Sequence, residues 1–184
     1  YEKLCVLAGA VPFCTWIGGA PEIWQCVVYY VLLFGGIQIA LFLKEKGAYR
    51  VWRVLSRGIC VAVVCVSIFI LGFRQKNLIS ITCLDIGQGD GIVIQLPGGK
   101  TVMVDGGSSS KKKVASYQIL PYLKNQGISV VDAMLISHTD LDHISGVQEL
   151  LTLKEKHLTT LRIKNLLLPD WKAPEEVYYE LEEQ

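Results

Sequence analysis

The chain has 184 residues, of which 51% are hydrophobic and 19% charged, and its formal net charge is +1. This composition is too apolar for an average soluble domain, and the near-zero charge excludes a global basic field for nucleic acid, so any such contact needs a local patch. The six cysteines lie in apolar or strand-like runs without metal-binding spacing, and we interpret them as small buried hydrophobes.

The excess of apolar residues lies in the first 73 positions. Residues 23–43 form an uncharged run of 21 residues, which as a helix matches a hydrocarbon layer of about 30 Å. Residues 4–20 carry three glycines and a proline, so that span is expected to be kinked or re-entrant. Residues 58–73 are shorter, but flanking basic residues can reach the interface. We therefore predict three membrane spans, with a buried globular helix as the alternative for the third.

A basic segment separates the second and third apolar runs. It holds five basic residues against the single acid Glu45, namely Lys44, Lys46, Arg50, Arg53 and Arg57. The positive-inside rule predicts that this segment is a cytoplasmic loop. The residues that follow the third span would then face outward.

From Leu78 the pattern changes to that of a soluble α/β domain, so we divide the chain into a membrane part, 1–77, and a soluble part, 78–184. Three β-rich runs separated by glycine-rich turns predict a β-meander. Helices and strands are then expected to alternate. The predicted elements are strands 78–84, 91–96 and 101–104, helix 116–125, strand 130–136, helix 144–156, strand 163–168 and an acidic helix after Pro174.

The segment SHTDLDHISG, residues 137–146, carries the clearest chemistry. His138, Asp140, Asp142 and His143 fall within six residues, directly after a run expected to be a buried strand. Imidazole nitrogens and carboxylate oxygens at this spacing on a turn can converge on one or two ions, and they suit zinc, manganese or iron. The alternative is a solvated loop in which Asp140 or Asp142 caps the next helix.

Three motifs in order, LDIGQGDG at 84–91, MVDGG at 103–107 and SHTDLDHISG at 137–146, follow a membrane segment. In this arrangement they resemble the ComEC family of DNA-internalisation competence proteins. The resemblance implies a polytopic competence domain followed by an outward-facing domain of metallo-β-lactamase fold, here the first half of an αββα sandwich. Because the chain begins with Tyr1 and not with Met, we expect an internal fragment of a longer protein.

The resemblance also implies roles for individual residues. His138 and Asp140 would hold a first ion, and Asp142 and His143 a second, with Asp142 as the catalytic residue that orients a nucleophilic water. Asp85 and Asp105, which follow predicted strands, are candidates for orienting the ligands. For both residues a simple turn before glycine is the alternative.

This sequence departs from the pattern of the wider superfamily at two points of the loop. Asp140 stands where the superfamily has histidine, and the extra carboxylate makes manganese or magnesium plausible beside zinc. Ser145 stands where glycine is usual. Further metal ligands are expected downstream of residue 184.

The function implied is that of a membrane protein of DNA uptake with an outward-facing, metal-dependent hydrolase domain, a nuclease acting on single- or double-stranded DNA. Its implied partners are DNA, membrane lipid and other competence proteins. The alternative is a non-catalytic transport or scaffold module of a DNA channel. A decayed gene is a third interpretation, which the intact motif disfavours.

Overall fold

The computed structural model describes residues 17–45, 49–74 and 78–169. These residues form two compact units, one of helices within Ala20–Arg74 and a second, mixed α/β unit that contains residues 78–169. Residues 17–22 are not helical, and the rest of the predicted span 4–20 lies outside the described residues, as does the helix predicted after Pro174. The domain limits 1–77 and 78–184 stay a prediction.

The helical unit consists of α1, Ile23–Glu45, and α2, Tyr49–Gly72. By length and composition, Ile23–Phe42 and Val54–Gly72 can each cross a membrane, and only 6% of each span is buried within the structure. A core helix of a soluble domain is normally covered by its neighbours, whereas these apolar surfaces are open. The two helices are therefore compatible with a membrane protein.

The predicted loop over residues 44–57 is wrong for most of its length, because α2 begins at Tyr49. Arg50, Arg53 and Arg57 recur at intervals of three and four residues, with mostly apolar residues between them, and this spacing is typical of one helical face. The prediction of a loop relied on the charge of these residues and did not take their helical spacing into account. The helix that includes the third apolar run therefore has 24 residues, not 16.

Gln25 joins the two helices at one end. Its side chain is buried, and its Nε2 donates hydrogen bonds to the carbonyl oxygens of Ile70 at 2.6 Å and Phe73 at 2.9 Å. The last carbonyls of a helix have no partner within it, and Gln25 satisfies that of Ile70 together with the Phe73 carbonyl just beyond the end of α2. Arg74 Nη1 donates in turn to Gln25 Oε1 at 2.8 Å.

The α/β unit is built on a five-stranded sheet with the strand order β1-β2-β3-β5-β7. The pairs β1-β2 and β2-β3 are antiparallel, whereas β3-β5 and β5-β7 are parallel. Strands β4 and β6 pair in parallel as a small second sheet. The strands are β1 (Ser80–Cys83), β2 (Ile92–Gln95), β3 (Thr101–Val104), β4 (Val130–Val131), β5 (Ala133–Leu135), β6 (Arg162–Ile163) and β7 (Leu166–Leu167).

The predicted meander is confirmed, but the predicted strands 130–136 and 163–168 are each divided in two. Asp132 stands at the first division, and its carboxylate accepts hydrogen bonds from the Thr101 N–H at 2.9 Å and Lys164 Nζ at 2.6 Å. Lys164 stands at the second division. These polar contacts allow both chain segments to pass from the small sheet to the large one.

Two helices accompany this sheet, α3 (Leu120–Asn125) and α4 (Leu141–Glu155). A π-helical turn, Ala115–Ile119, precedes α3, so the predicted helix 116–125 is irregular in its first half. Pro121 explains the irregularity, because its ring lacks an N–H and clashes with the carbonyl one turn earlier. Gly127, at φ +70°, ends the segment as expected.

The core of this unit lies between the sheet and α4. Met103 and Met134 are neighbours on β3 and β5, and both are fully buried, as are Ile144 and Val147 of α4. Apolar side chains that leave water in this way supply most of the folding free energy. Three cysteines do not follow the predicted burial, since Cys60, Cys65 and Cys83 are exposed.

Candidate metal centre

The candidate site forms where the parallel strands β3 and β5 end side by side. Val104 pairs with Leu135 at these ends, and the Asp105 N–H donates to the Leu135 carbonyl at 2.8 Å. The next residues of both strands therefore leave the sheet at one edge, as is usual for sites in parallel sheets. This places Asp105 beside the loop that contains SHTDLDH.

Asp105 orients His143, which lies in the first turn of α4. Both residues are buried, and Nδ1 of His143 lies 3.1 Å from Oδ2 of Asp105. A carboxylate at this position favours the tautomer with the proton on Nδ1, which leaves Nε2 free to bind a metal. Asp105 also has a left-handed backbone, at φ +53°, a conformation that aspartate tolerates better than most residues.

Ser137 connects the same carboxylate to His138. The Ser137 N–H donates to Asp105 Oδ1 at 2.8 Å, and its hydroxyl donates to Oδ2 at 2.6 Å. The hydroxyl oxygen also lies 2.9 Å from Nδ1 of His138, from which it can accept a hydrogen bond. Both imidazoles thus have Nδ1 engaged and Nε2 free, and their ring centroids are 3.6 Å apart.

Carboxylates face both free nitrogens. Asp140 Oδ2 lies 3.5 Å from Nε2 of His138, while Asp142 Oδ2 and Asp90 Oδ2 lie 3.6 and 3.7 Å from Nε2 of His143. These distances exceed those of ordinary hydrogen bonds. Ligands of one ion with bonds of about 2.0–2.2 Å stand roughly 3–4 Å apart, so the spacing suits a shared cation.

The donor atoms of His138, Asp142 and His143 all lie within 4.8 Å of one another. The structure thus brings together three of the four predicted ligands, and the fourth, Asp140, adjoins His138. The set of imidazole nitrogens and carboxylate oxygens fits a divalent cation. The assignment of the four residues as ligands, and of Asp142 as the catalytic residue, stays a prediction.

Asp140 occupies the N-cap position of α4, and its main-chain carbonyl accepts the N–H groups of His143 and Ile144. Among the residues that the structure describes, none donates a capping hydrogen bond to the Asp140 side chain. The carboxylate is therefore available for another partner. The main-chain bonds are the ordinary first hydrogen bonds of the helix, so the choice between a ligand and a cap for Asp140 stays a prediction.

Asp85 has a different environment from the one predicted. Its carboxylate is 92% exposed and pairs with Lys111, whose Nζ lies 3.0 Å from Oδ1. The hydrogen bond from Lys111 lowers the pKa of Asp85 below its ordinary value, and the charge of the lysine adds to the effect. The structure therefore places Asp85 in a surface ion pair, and its predicted part in orienting a metal ligand stays a prediction.

Two contributors were missing from the predicted set, Asp90 and Ser137. Asp90 belongs to LDIGQGDG, a motif whose glycines allow its loop to approach the site. A Cβ atom on Gly89, at φ +156°, would lie 2.1 Å from the Gly107 carbonyl oxygen and 2.5 Å from that of Asp142. No side chain fits there. The glycines of the motif therefore indicate a turn whose backbone lies close to the metal loop.

Ser145 of α4 forms hydrogen bonds with the loop that follows β3. Its hydroxyl accepts a hydrogen bond from the Ser108 N–H at 2.9 Å and donates one to the Ser108 carbonyl at 3.2 Å. Ser108 is itself buried. A serine is thus accommodated where the family pattern has glycine, and it adds hydrogen bonds beside the metal loop.

The region of the chain that contains this site is similar to known proteins. Residues 84–173 match the metallo-beta-lactamase superfamily. Recombination protein 2 of Haemophilus influenzae is 33% identical over 100 residues, which are 54% of this chain and 12% of that protein. ComE operon protein 3 of Bacillus subtilis is 29% identical over 133 residues, 64% of this chain and 16% of that protein. No solved structure matches the chain.

The fold and the site together define a metallo-beta-lactamase superfamily domain that follows two apolar helices, as the motifs predicted. The match to this superfamily implies binding of a divalent metal. These matches are consistent with the resemblance to the ComEC family that the motifs indicated. The chain spans less than a fifth of the length of these two relatives.

Proposed function

We propose that this chain is part of a membrane protein of DNA uptake, and that its metal centre hydrolyses phosphodiester bonds of DNA. The observation that carries the proposal is the pair of histidines whose Nδ1 atoms are engaged by Asp105 and Ser137. Their free Nε2 atoms face carboxylates. A metal centre requires imidazoles whose Nδ1 is held by a partner and whose Nε2 is directed to the ion, whereas a structural loop has no such requirement.

In this proposal His138 and Asp140 hold a first ion, and Asp142 and His143 hold a second. Zinc or manganese suits the mixed donor set, with magnesium as a further candidate because of the carboxylates. A bound divalent ion supplies Lewis-acid stabilisation of the charge that develops on a phosphodiester and makes water more acidic.

The residues of the chain then position the reactants. Asp142 lies in the first turn of α4, and its side chain is 42% exposed, so one carboxylate oxygen can accept a hydrogen bond from an attacking water. Lys112 and Lys113 are exposed on the loop after β3 and supply positive charge for the DNA backbone. The buried pair Asp105 and His143 remains in place while substrate binds.

We further propose that residues 1–77 belong to a multi-pass membrane domain, and that residues 78–184 form the metal-binding domain on the outer face of the cell membrane. The basic residues between positions 44 and 57 favour a cytoplasmic location for that segment. Because one span precedes this segment and one follows it, the α/β unit after the second span would lie on the outer face of the membrane. Lipid, DNA and other competence proteins are the partners that this arrangement implies.

The catalytic proposal is tested with the full gene product, purified in detergent and supplied with manganese or zinc. Asp142→Ala removes a ligand and the orienting carboxylate together, so cleavage of single- or double-stranded DNA should fall by at least about 10²-fold. His157→Asn is the matched control, because His157 is exposed at the end of α4 and asparagine tolerates its φ of +54°.

Wild-type cleavage by Asp142→Ala at saturating metal would refute the nuclease proposal. The protein would then be better described as a non-catalytic scaffold of a DNA channel. A metal analysis of the wild-type protein separates the two parts of the proposal, because a scaffold can bind an ion without cleaving DNA.

A further inference from the structure

The LDIGQGDG turn brings to the metal centre a carboxylate that lies outside the SHTDLDH loop. Asp90 Oδ2 is 3.7 Å from Nε2 of His143, and Asp142 Oδ2 is 3.6 Å from the same nitrogen. Asp90 lies in the β1-β2 turn, 52 positions before Asp142 in the chain. Two distant segments thus place equivalent oxygen atoms beside one imidazole nitrogen.

The backbone of Asp90 is held on both sides by the loops of the site. Its N–H donates to the Asp142 carbonyl at 3.1 Å, and its carbonyl accepts from the Gly107 N–H at 3.3 Å. Gly89 permits this approach, since any side chain at that position would overlap the Asp142 and Gly107 carbonyl oxygens. The position of Asp90 is therefore a property of the fold, even though its side chain is 65% exposed.

The electrostatics of the arrangement point to a cation. In the neutral tautomer whose Nδ1 proton is donated to Asp105, Nε2 of His143 carries a lone pair and offers no proton to either carboxylate. Two carboxylates beside a lone pair repel one another unless a positive charge lies between them. The separations of 3.6 and 3.7 Å match neighbouring ligands of one ion.

We propose that Asp90 is an additional ligand of the ion held by Asp142 and His143. This inference rests on the proposed metal centre and adds a carboxylate to it. The ion then receives one nitrogen and two carboxylate groups from this part of the chain. That oxygen-rich donor set favours manganese or magnesium over zinc more strongly than the loop motif alone does.

Metal titrations of the full gene product in detergent test the proposal without a cleavage assay. Free Mn²⁺ is followed by electron paramagnetic resonance, and Zn²⁺ by competition with a chromogenic chelator. Asp90→Asn should weaken Mn²⁺ binding about tenfold or more. Glu155→Gln is the matched control, because it removes one exposed carboxylate roughly 20 Å away along α4 and should leave both affinities unchanged.

Comparison of the two ions separates a lost ligand from a damaged fold. Loss of a hard oxygen ligand should lower the Mn²⁺ affinity more than the Zn²⁺ affinity, whereas misfolding lowers both. A larger loss for Mn²⁺ supports the proposal. Equal losses for both ions, or wild-type affinities in Asp90→Asn, would overturn it.

His143→Ala distinguishes failure of this inference from failure of the metal centre. If this variant loses metal while Asp90→Asn binds like the wild type, the centre stands and Asp90 is not a ligand. If the wild type binds no ion, or His143→Ala binds as well as the wild type, the proposed centre is wrong and the inference falls with it.

Discussion

Oδ2 of Asp105 lies 3.1 Å from Nδ1 of His143, and this buried contact turns Nε2 of the imidazole toward Asp142 and Asp90. The same carboxylate accepts two hydrogen bonds from Ser137, which contacts His138. One aspartate at the end of β3 thus fixes the orientation of both histidines.

Asp105→Asn should weaken metal binding by about 10- to 100-fold, the range for loss of a group that orients a ligand. Asparagine fits the left-handed backbone of this position, but its amide no longer offers a charged acceptor to His143 and Ser137. The measurement is an Mn²⁺ titration of the full gene product, with its thermal unfolding as a check on folding. Unchanged affinity in a folded variant would show that Asp105 has only a structural role.

Ser137→Ala should weaken metal binding about tenfold, because His138 loses the hydroxyl that holds its Nδ1. The matched control is Ser109→Ala, which removes an exposed hydroxyl bonded to the Gln88 carbonyl in a neighbouring loop. Isothermal titration with Mn²⁺ compares the two variants. Equal affinities in both would mean that His138 does not need this hydroxyl.

Asp140→Asn tests whether this carboxylate is a ligand or a helix cap. The side chain makes no capping hydrogen bond to any residue that the structure describes, and asparagine caps as well as aspartate does. Stability should therefore change little, while metal affinity falls as a charged ligand becomes neutral. A variant that loses stability but keeps its metal affinity would support the capping interpretation.

The sequence allowed the metal loop to be predicted because its four candidate ligands are local and need only one turn to converge. Asp90 was missed, and Asp85 was chosen from the same motif, because the direction of each carboxylate depends on how three loops pack. Gly89 and Gly107 decide that packing through close backbone approach. In the sequence these glycines indicated a turn, but they did not show which acid the turn would present.

The predicted strands agree with the observed ones where the local pattern of residues is sufficient to define a strand. The meander β1 to β3 was predicted because its strands are β-rich runs and the turns between them contain glycine. The runs 130–136 and 163–168 looked continuous because their apolar residues outnumber the one polar residue of the first and the two of the second. Asp132 and Lys164 divide them through contacts that join distant segments, and no local pattern records such contacts.

The ion pair of Asp132 with Lys164 should make the stability of the α/β unit depend on pH. The Lys164 hydrogen bond, followed by that of the Thr101 N–H, lowers the pKa of Asp132 below its ordinary value. A carboxyl with a lowered folded-state pKa adds stability that is fully present above its unfolded pKa of about 3.9, and that is lost as the pH falls through the folded value. Asp132→Asn removes this contribution at neutral pH.

We therefore expect Asp132→Asn to lower the calorimetric unfolding midpoint of the α/β unit at pH 7, with a difference from wild type that narrows below about pH 4. Asp85→Asn is the comparison variant, because its partner Lys111 forms an exposed pair, and exposed pairs contribute little to stability. Its midpoint should stay close to that of the wild type at every pH. A difference for Asp132→Asn that is constant between pH 7 and pH 3 would show that the neutral contacts at Thr101, and not the charge on Asp132, stabilise this crossing between the sheets.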